Sequence, residues 1–318
     1  MPYFCPGLHW ESVTTLLIAP TTEVLFPNLR YLCCMCVTDP THPLHLPLPS
    51  LISLSLEFVS WNLRVFQYFL ESFLEFAPNI RRLSISVPHW EPDVTGSSRF
   101  FSSHLCRWRS LHAVLCPGVS LDVNALVHLS RMPALTELAF QPSVTLPDQI
   151  ASSDSPLIFS GLHNLELHSP SLIPVSRLLS RTRLPVITDF SAFIESCPQA
   201  SKQDVSSFLA SLPTSGIGHT IQGLRLQQTN LSNVWSTKEL NLHLGLEDLQ
   251  PCMAFSKFCR ISIGVECDIH LTDSEVRALT SAWPHFEYLI INYRIIAGRP
   301  RTGLEDGSFW SQLMSPAV

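Results

Sequence analysis

The chain has 318 residues, 46% of them apolar and only 14% charged, a composition that fits a large buried core and excludes disorder. Its formal net charge of −6 offers no basic excess to displace counterions from a phosphate backbone, so no nucleic-acid partner is expected. It has no apolar run of about 18 residues and no basic start followed by an apolar stretch, so neither a spanning helix nor a secretory leader is expected.

In chain order, one short pattern keeps returning: apolar, two free positions, apolar, free, apolar. A weak copy occupies residues 13–18. Leu29-Arg30-Tyr31-Leu32-Cys33-Cys34 follows Pro27, and Leu51-Ile52-Ser53-Leu54-Ser55-Leu56 follows Pro49. Residues 62–77 then carry Val65, Phe66, Phe69, Leu70, Phe73 and Leu74 at helical spacing, stopped by Pro78. The strand pattern resumes at residues 80–85, and a helix is expected over 98–107. Another copy at 111–116, after Trp108, precedes a helix expected over 122–131. Copies at 135–140 and 162–167 flank a Pro/Ser-rich stretch, 141–156, expected to be a long loop like the His/Pro-rich run 39–49. A further strand is expected near residues 185–190 and a helix over 203–212. The last copies are 221–226, 258–263 and 286–291. Between the final two, Thr272-Asp273-Ser274-Glu275 is a capping box that opens a helix ending at Pro284.

Within each copy the fourth and sixth residues are apolar and the third and fifth mostly are not. That period of two marks a short strand with one buried face. Spacings this long require crossovers, so adjacent strands should run parallel. The expected fold class is α/β: a solenoid of about ten units over residues 1–298, with a curved parallel sheet and helices on its convex side. Residues 299–318 lose the pattern and are expected to be a tail or capping turn.

The strand unit resembles the leucine-rich repeat. Leu271-Thr272-Asp273, Ala278-Leu279, Ala282-Trp283-Pro284 and Phe286-Glu287-Tyr288-Leu289 resemble the C-terminal repeats of fungal F-box proteins. That resemblance implies a non-enzymatic, protein-binding region that holds the substrate of a ubiquitin ligase. Two features depart from it. No asparagine or cysteine ladder follows the strands. The F-box, which opens with a Leu-Pro-x-Glu-like motif, is not found in this chain, so a Skp1-type adaptor is expected as a partner only if an F-box exists upstream. The alternative is a truncated or orphan repeat scaffold with no ligase link.

Sequence motifs for chemistry are sparse. Cys33 and Cys36, followed by His42 and His45, are ligand types that suit zinc. The five-residue spacer is much shorter than a zinc finger's, however, and no metal is expected. The ten cysteines lie mostly on or beside strands, as buried free thiols of a cytoplasmic or nuclear protein would. A hydrolase or nucleotide enzyme on an α/β sheet would need a G-x-S-x-G elbow or a glycine-rich phosphate loop; neither is present, and no catalytic or cofactor-binding residue is nominated. The candidate surface is the sheet's open, concave face, formed by the third and fifth positions. For a protein partner these nominate Tyr31, Ser55, Arg82, Ser84, Glu137, Asn164, Glu166, Arg225, Arg260 and Tyr288, with Cys33, Ser53, Ala113, Leu115, Ser262 and Ile290 beside them.

Overall fold

A computed structural model describes residues 26–37, 48–58, 63–87, 95–143, 146–151, 156–194, 201–217, 220–228, 243–265 and 267–291. The chain divides into two compact units, Met1–Ser143 and Val144–Val318. In the first, β1 (Tyr31–Val37), β2 (Ser53–Phe58), β3 (Arg82–Ser86), β4 (Ala113–Ser120) and β5 (Glu137–Gln141) lie side by side in chain order, all parallel. The returns are α1 (Leu63–Phe76), α2 (Thr95–Leu105) and α3 (Val123–Ser130).

The second unit opens with α4 (Leu146–Ala151), β6 (Leu157–Ile158), β7 (Asn164–Ser169), α5 (Leu172–Ser180) and β8 (Thr182–Arg183). It continues through β9 (Asp189–Ile194), α6 (Lys202–Thr214), β10 (Gly223–Gln228), β11 (His243–Leu244) and α7 (Leu246–Leu249). A 3-10 turn (Gln250–Ala254), β12 (Arg260–Gly264), β13 (Asp268–Ile269), α8 (Asp273–Ala282) and β14 (Tyr288–Ile291) complete it. Its main strands, β7, β9, β10, β12 and β14, are again parallel neighbours. The two-residue strands pair separately, β6 with β8 and β11 with β13. Strand, helical or looped return, and next parallel strand make this the leucine-rich-repeat-like α/β fold expected from the pattern. No helix among the described residues is long and apolar enough to cross a membrane.

Apolar ladders lock the register. Leu54, Leu83, Val114 and Leu138 pair in one row, and Leu165, Phe190, Leu224 and Ile261 in another. All eight side chains are buried, and each stabilises the fold by about 1.5–3 kcal/mol relative to exposure. A one-residue slip would turn an entire row into water, so the register has no close competitor. The helices cover this buried face: Phe66 of α1 packs edge-on to Phe58 of β2, and Phe208 of α6 meets Phe190 of β9.

The prolines that precede the strands have a specific job. Phe26-Pro27-Asn28-Leu29, Leu48-Pro49-Ser50-Leu51, Met132-Pro133-Ala134-Leu135 and Trp283-Pro284-His285-Phe286 each close a turn by donating from the fourth residue's N–H to the first residue's carbonyl. Proline presets the backbone at the second position of such a turn. Each strand is then clamped to the one before it. Arg81 and Arg82 N–H groups both donate to the Ile52 carbonyl, and Gln222 and Gly223 both donate to that of Thr188. Trp108 and Trp283 are buried, with their indole N–H groups satisfied by the carbonyls of Ala77 (3.3 Å) and Cys252 (3.0 Å).

Two expectations are corrected, and one helix had no counterpart among the expected elements. The strand expected at 185–190 begins four residues later, at Asp189, because Leu184 to Ile187 form the entry turn. The stretch 141–156 contains the helix Leu146–Ala151. The unexpected helix is Leu172–Ser180, whose sequence contains Pro174. Pro174 falls in the first helical turn, where its missing N–H has no helical partner to lose. The weak copy at 13–18, His42, His45 and residues 299–318 lie outside the described residues.

Candidate functional site

Strand alternation places the third and fifth positions on the open face, away from the helices. None of the ten residues nominated for the partner face is buried; Tyr31, Arg82, Asn164, Arg225, Arg260 and Tyr288 are exposed. Ala113, nominated beside them, is corrected: it lies on that face but is only 3% exposed. Its cover is an ion pair. Arg82 Nη1 on β3 reaches Glu137 Oε2 on β5 at 3.0 Å, and the intervening register partner of both is Ala113. The small side chain is what lets the pair close above it.

The second unit repeats the device. Arg260 Nη2 on β12 meets Asp189 Oδ1 on β9 at 2.8 Å, with Gly223 of β10 between them in register. A Cβ on Gly223 would stand 2.4 Å from that carboxylate oxygen, so the close approach requires glycine here. Both pairs are solvent-exposed, which limits each to about 0–1 kcal/mol of stability. Their larger effect is to fix where charge stands on the face.

Around the second pair the face sinks into an open concavity of about 630 Å³ on β9, β10, β12 and β14. Gly223 and Gly264 leave its floor low, and Asp189, Ser191, Arg225, Gln227, Arg260 and Tyr288 line it. Arg225 lies over the Phe193 ring, with its guanidinium carbon 5.1 Å from the ring centre. On β7 and β9, Phe193 stacks on the buried His168 at 4.6 Å, and His168 Nε2 lies 2.7 Å from Glu166 Oε1.

Of the nominated residues, Arg225, Arg260 and Tyr288 come together at this concavity. Asn164 and Glu166 sit on β7 of the same unit, whereas Tyr31, Ser55, Arg82, Ser84 and Glu137 belong to the face of the first unit. Asp189, Ser191, Gly223 and Gln227 were missed. Asp189 and Ser191 did carry a signal: Ile187, Phe190 and Ala192 follow the repeat pattern, with alanine in the last apolar slot.

Three buried thiols among the described residues are held in their protonated form. Burial pushes Cys34 and Cys252 up to about 12, with the neighbouring Cys33 adding to the effect at Cys34. Burial also pushes the Cys116 thiol up. A thiol held protonated at neutral pH is a poor nucleophile and a poor metal ligand. Among the described residues, no group of three or more His, Cys, Asp or Glu could hold a metal ion.

No family model matches the chain, and no curated protein matches its sequence. Among solved structures the chain is similar to an internalin from Listeria monocytogenes, with 12% identity and a TM-score of 0.26. The match covers 69% of this chain and 62% of the internalin chain, so this chain spans less than two thirds of that neighbour's length. The strand register, and not this slight likeness, carries the description of the fold.

Proposed function

We propose that this chain is a non-enzymatic protein-interaction module whose partner lies on the open sheet face. The observation that supports this reading most is the concavity on β9, β10, β12 and β14. There Ser191, Arg225, Gln227, Ser262 and Tyr288 present polar or aromatic groups to solvent above a glycine floor. Arginine and tyrosine are favoured anchors of protein interfaces, and strands supply a rigid platform for them. In this reading residues 1–298 are one solenoid of about ten units.

A finer reading follows from the resemblance of residues 271–289 to fungal F-box repeats. In it, the face holds the substrate of a ubiquitin ligase, and a Skp1-type adaptor joins through an F-box encoded upstream. An orphan repeat scaffold is the competing version. The chain has only Lys202, Lys238 and Lys257 among its 20 lysines and arginines, which would limit its own ubiquitylation.

Site-specific photo-cross-linking tests the face. A photoreactive residue at Tyr288 is expected to capture a discrete partner, and one at Arg277 on the exposed side of α8 is not. Equal capture at both positions would contradict the proposal. Affinity purification of the complete gene product separates the finer readings: recovery of the adaptor supports ligase membership, and its absence favours the orphan scaffold.

A further inference from the structure

Three arginines project from the open face of the described strands: Arg82, Arg225 and Arg260. Two are neutralised by an acid two strands away, Arg82 by Glu137 and Arg260 by Asp189. Arg225 also has an acid two strands away in register, since Glu166 pairs with Ser191 and Ser191 with Arg225. That third pair is not made. Glu166 is engaged by His168 at 2.7 Å, and Arg225 is drawn over Phe193. Arg225 is therefore an exposed cation without an ion pair among the described residues, held by a ring and facing the concavity.

We propose that Arg225 anchors a glutamate or aspartate side chain of an extended peptide segment from a protein partner, seated in this concavity. The inference rests on the open face being the binding face. Three features favour a carboxylate. Stacking on Phe193 leaves the guanidinium edge available and restricts its rotamers, so a bidentate pair costs less ordering. The charges of Arg225, Arg260 and Asp189 leave one uncompensated positive charge at the concavity, which matches a single carboxylate and not a phosphate dianion. The backbone N–H groups of β9, β10 and β12 are committed to the strand ladders, so the site lacks the cluster of free N–H donors that phosphate sites use. The chain's net charge of −6 gives no long-range attraction for an acid, so recognition depends on the contact itself.

The test is selection of a phage-displayed random dodecapeptide library on the full chain. Enriched peptides are expected to share an acidic residue at a fixed position. Synthetic copies with that residue changed to Gln or Asn should bind about 10- to 100-fold more weakly. Arg225→Ala should produce the same loss for the acidic peptide and almost none for its amide copy, with folding checked by circular dichroism. Arg225→Lys should recover part of the affinity. Enriched peptides with no fixed acid, acidic peptides that bind Arg225→Ala undiminished, or tighter binding of a phosphoserine copy would each overturn the inference while leaving the binding face intact. Recovery of no peptide would overturn it too, and the cross-linking at Tyr288 would then decide the fate of the face independently.

Discussion

An added methyl group at Gly223 would sit under the ion pair between Asp189 and Arg260, 2.4 Å from the Asp189 Oδ1 atom. That oxygen ends a flexible side chain, so Asp189 can turn away and the backbone need not move. Gly223→Ala is therefore expected to break the pair and raise the floor of the concavity, yet to change stability by only about 1 kcal/mol or less. Urea unfolding measures this. In an Asp189→Asn background the substitution should cost less than in the wild type, because the pair is already lost. At this scale the sequence is legible where alternation alone decides exposure, as at Arg82, Arg225 and Tyr288. It is illegible where a neighbouring strand decides, as at Ala113, whose cover is supplied by Arg82 and Glu137. Asp189 and Ser191 were hidden because Ala192 fills a slot that leucine or isoleucine takes in most other copies.

Adjacent positions on one strand should differ sharply in energetic weight. Leu83 of β3 is fully buried, and Leu83→Ala is expected to cost about 2–5 kcal/mol. Its neighbour Ser84 faces outward, and Ser84→Ala should stay within about 0.5 kcal/mol by the same unfolding assay. Between α6 and α7 the buried carboxylate of Asp248 does similar work. Burial raises its pKa, but Ser206 Oγ, Gly245 N–H and Lys202 Nζ all donate to it and together hold it below the ordinary value of 3.8. A depressed folded-state pKa means a contribution that is present above pH about 4 and lost as pH falls through the folded value. Asp248→Asn should thus destabilise by about 1–3 kcal/mol at pH 7, with the gap from wild type narrowing as the pH drops below 3.8. Elements with regular spacing and caps were legible, such as α1 and the capping box of Thr272 and Glu275 that opens α8. The end of α6 was misplaced by two residues, because the helix runs through Pro213 to Thr214; just past the Ser215 cap, Gly216 turns the chain with a φ of 75° that suits glycine.

For the molecule as a whole, the proposed binding role rests on a division of labour within each strand. The fourth and sixth residues hold the sheet to its helices, which leaves the third and fifth little constrained by the core. Substitutions on the open face should therefore cost little stability, as the contrast between Leu83 and Ser84 expresses. The repeat pattern alone makes this division visible. What it could not supply was the pairing of charges between strands, because that depends on which strand lies two places away. It therefore missed that Arg82 and Arg260 are neutralised while Arg225 is left to a ring. The central claim is that third-position residues stand in one row across parallel strands of each unit. Double electron–electron resonance between spin labels at Asn164 and Tyr288, and separately at Tyr31 and Glu137, tests it most directly. Each pair is four strands apart in order, so a single narrow distribution near about 20 Å is expected. A broad distribution, or one centred beyond about 30 Å, would contradict the parallel row and the binding face built on it.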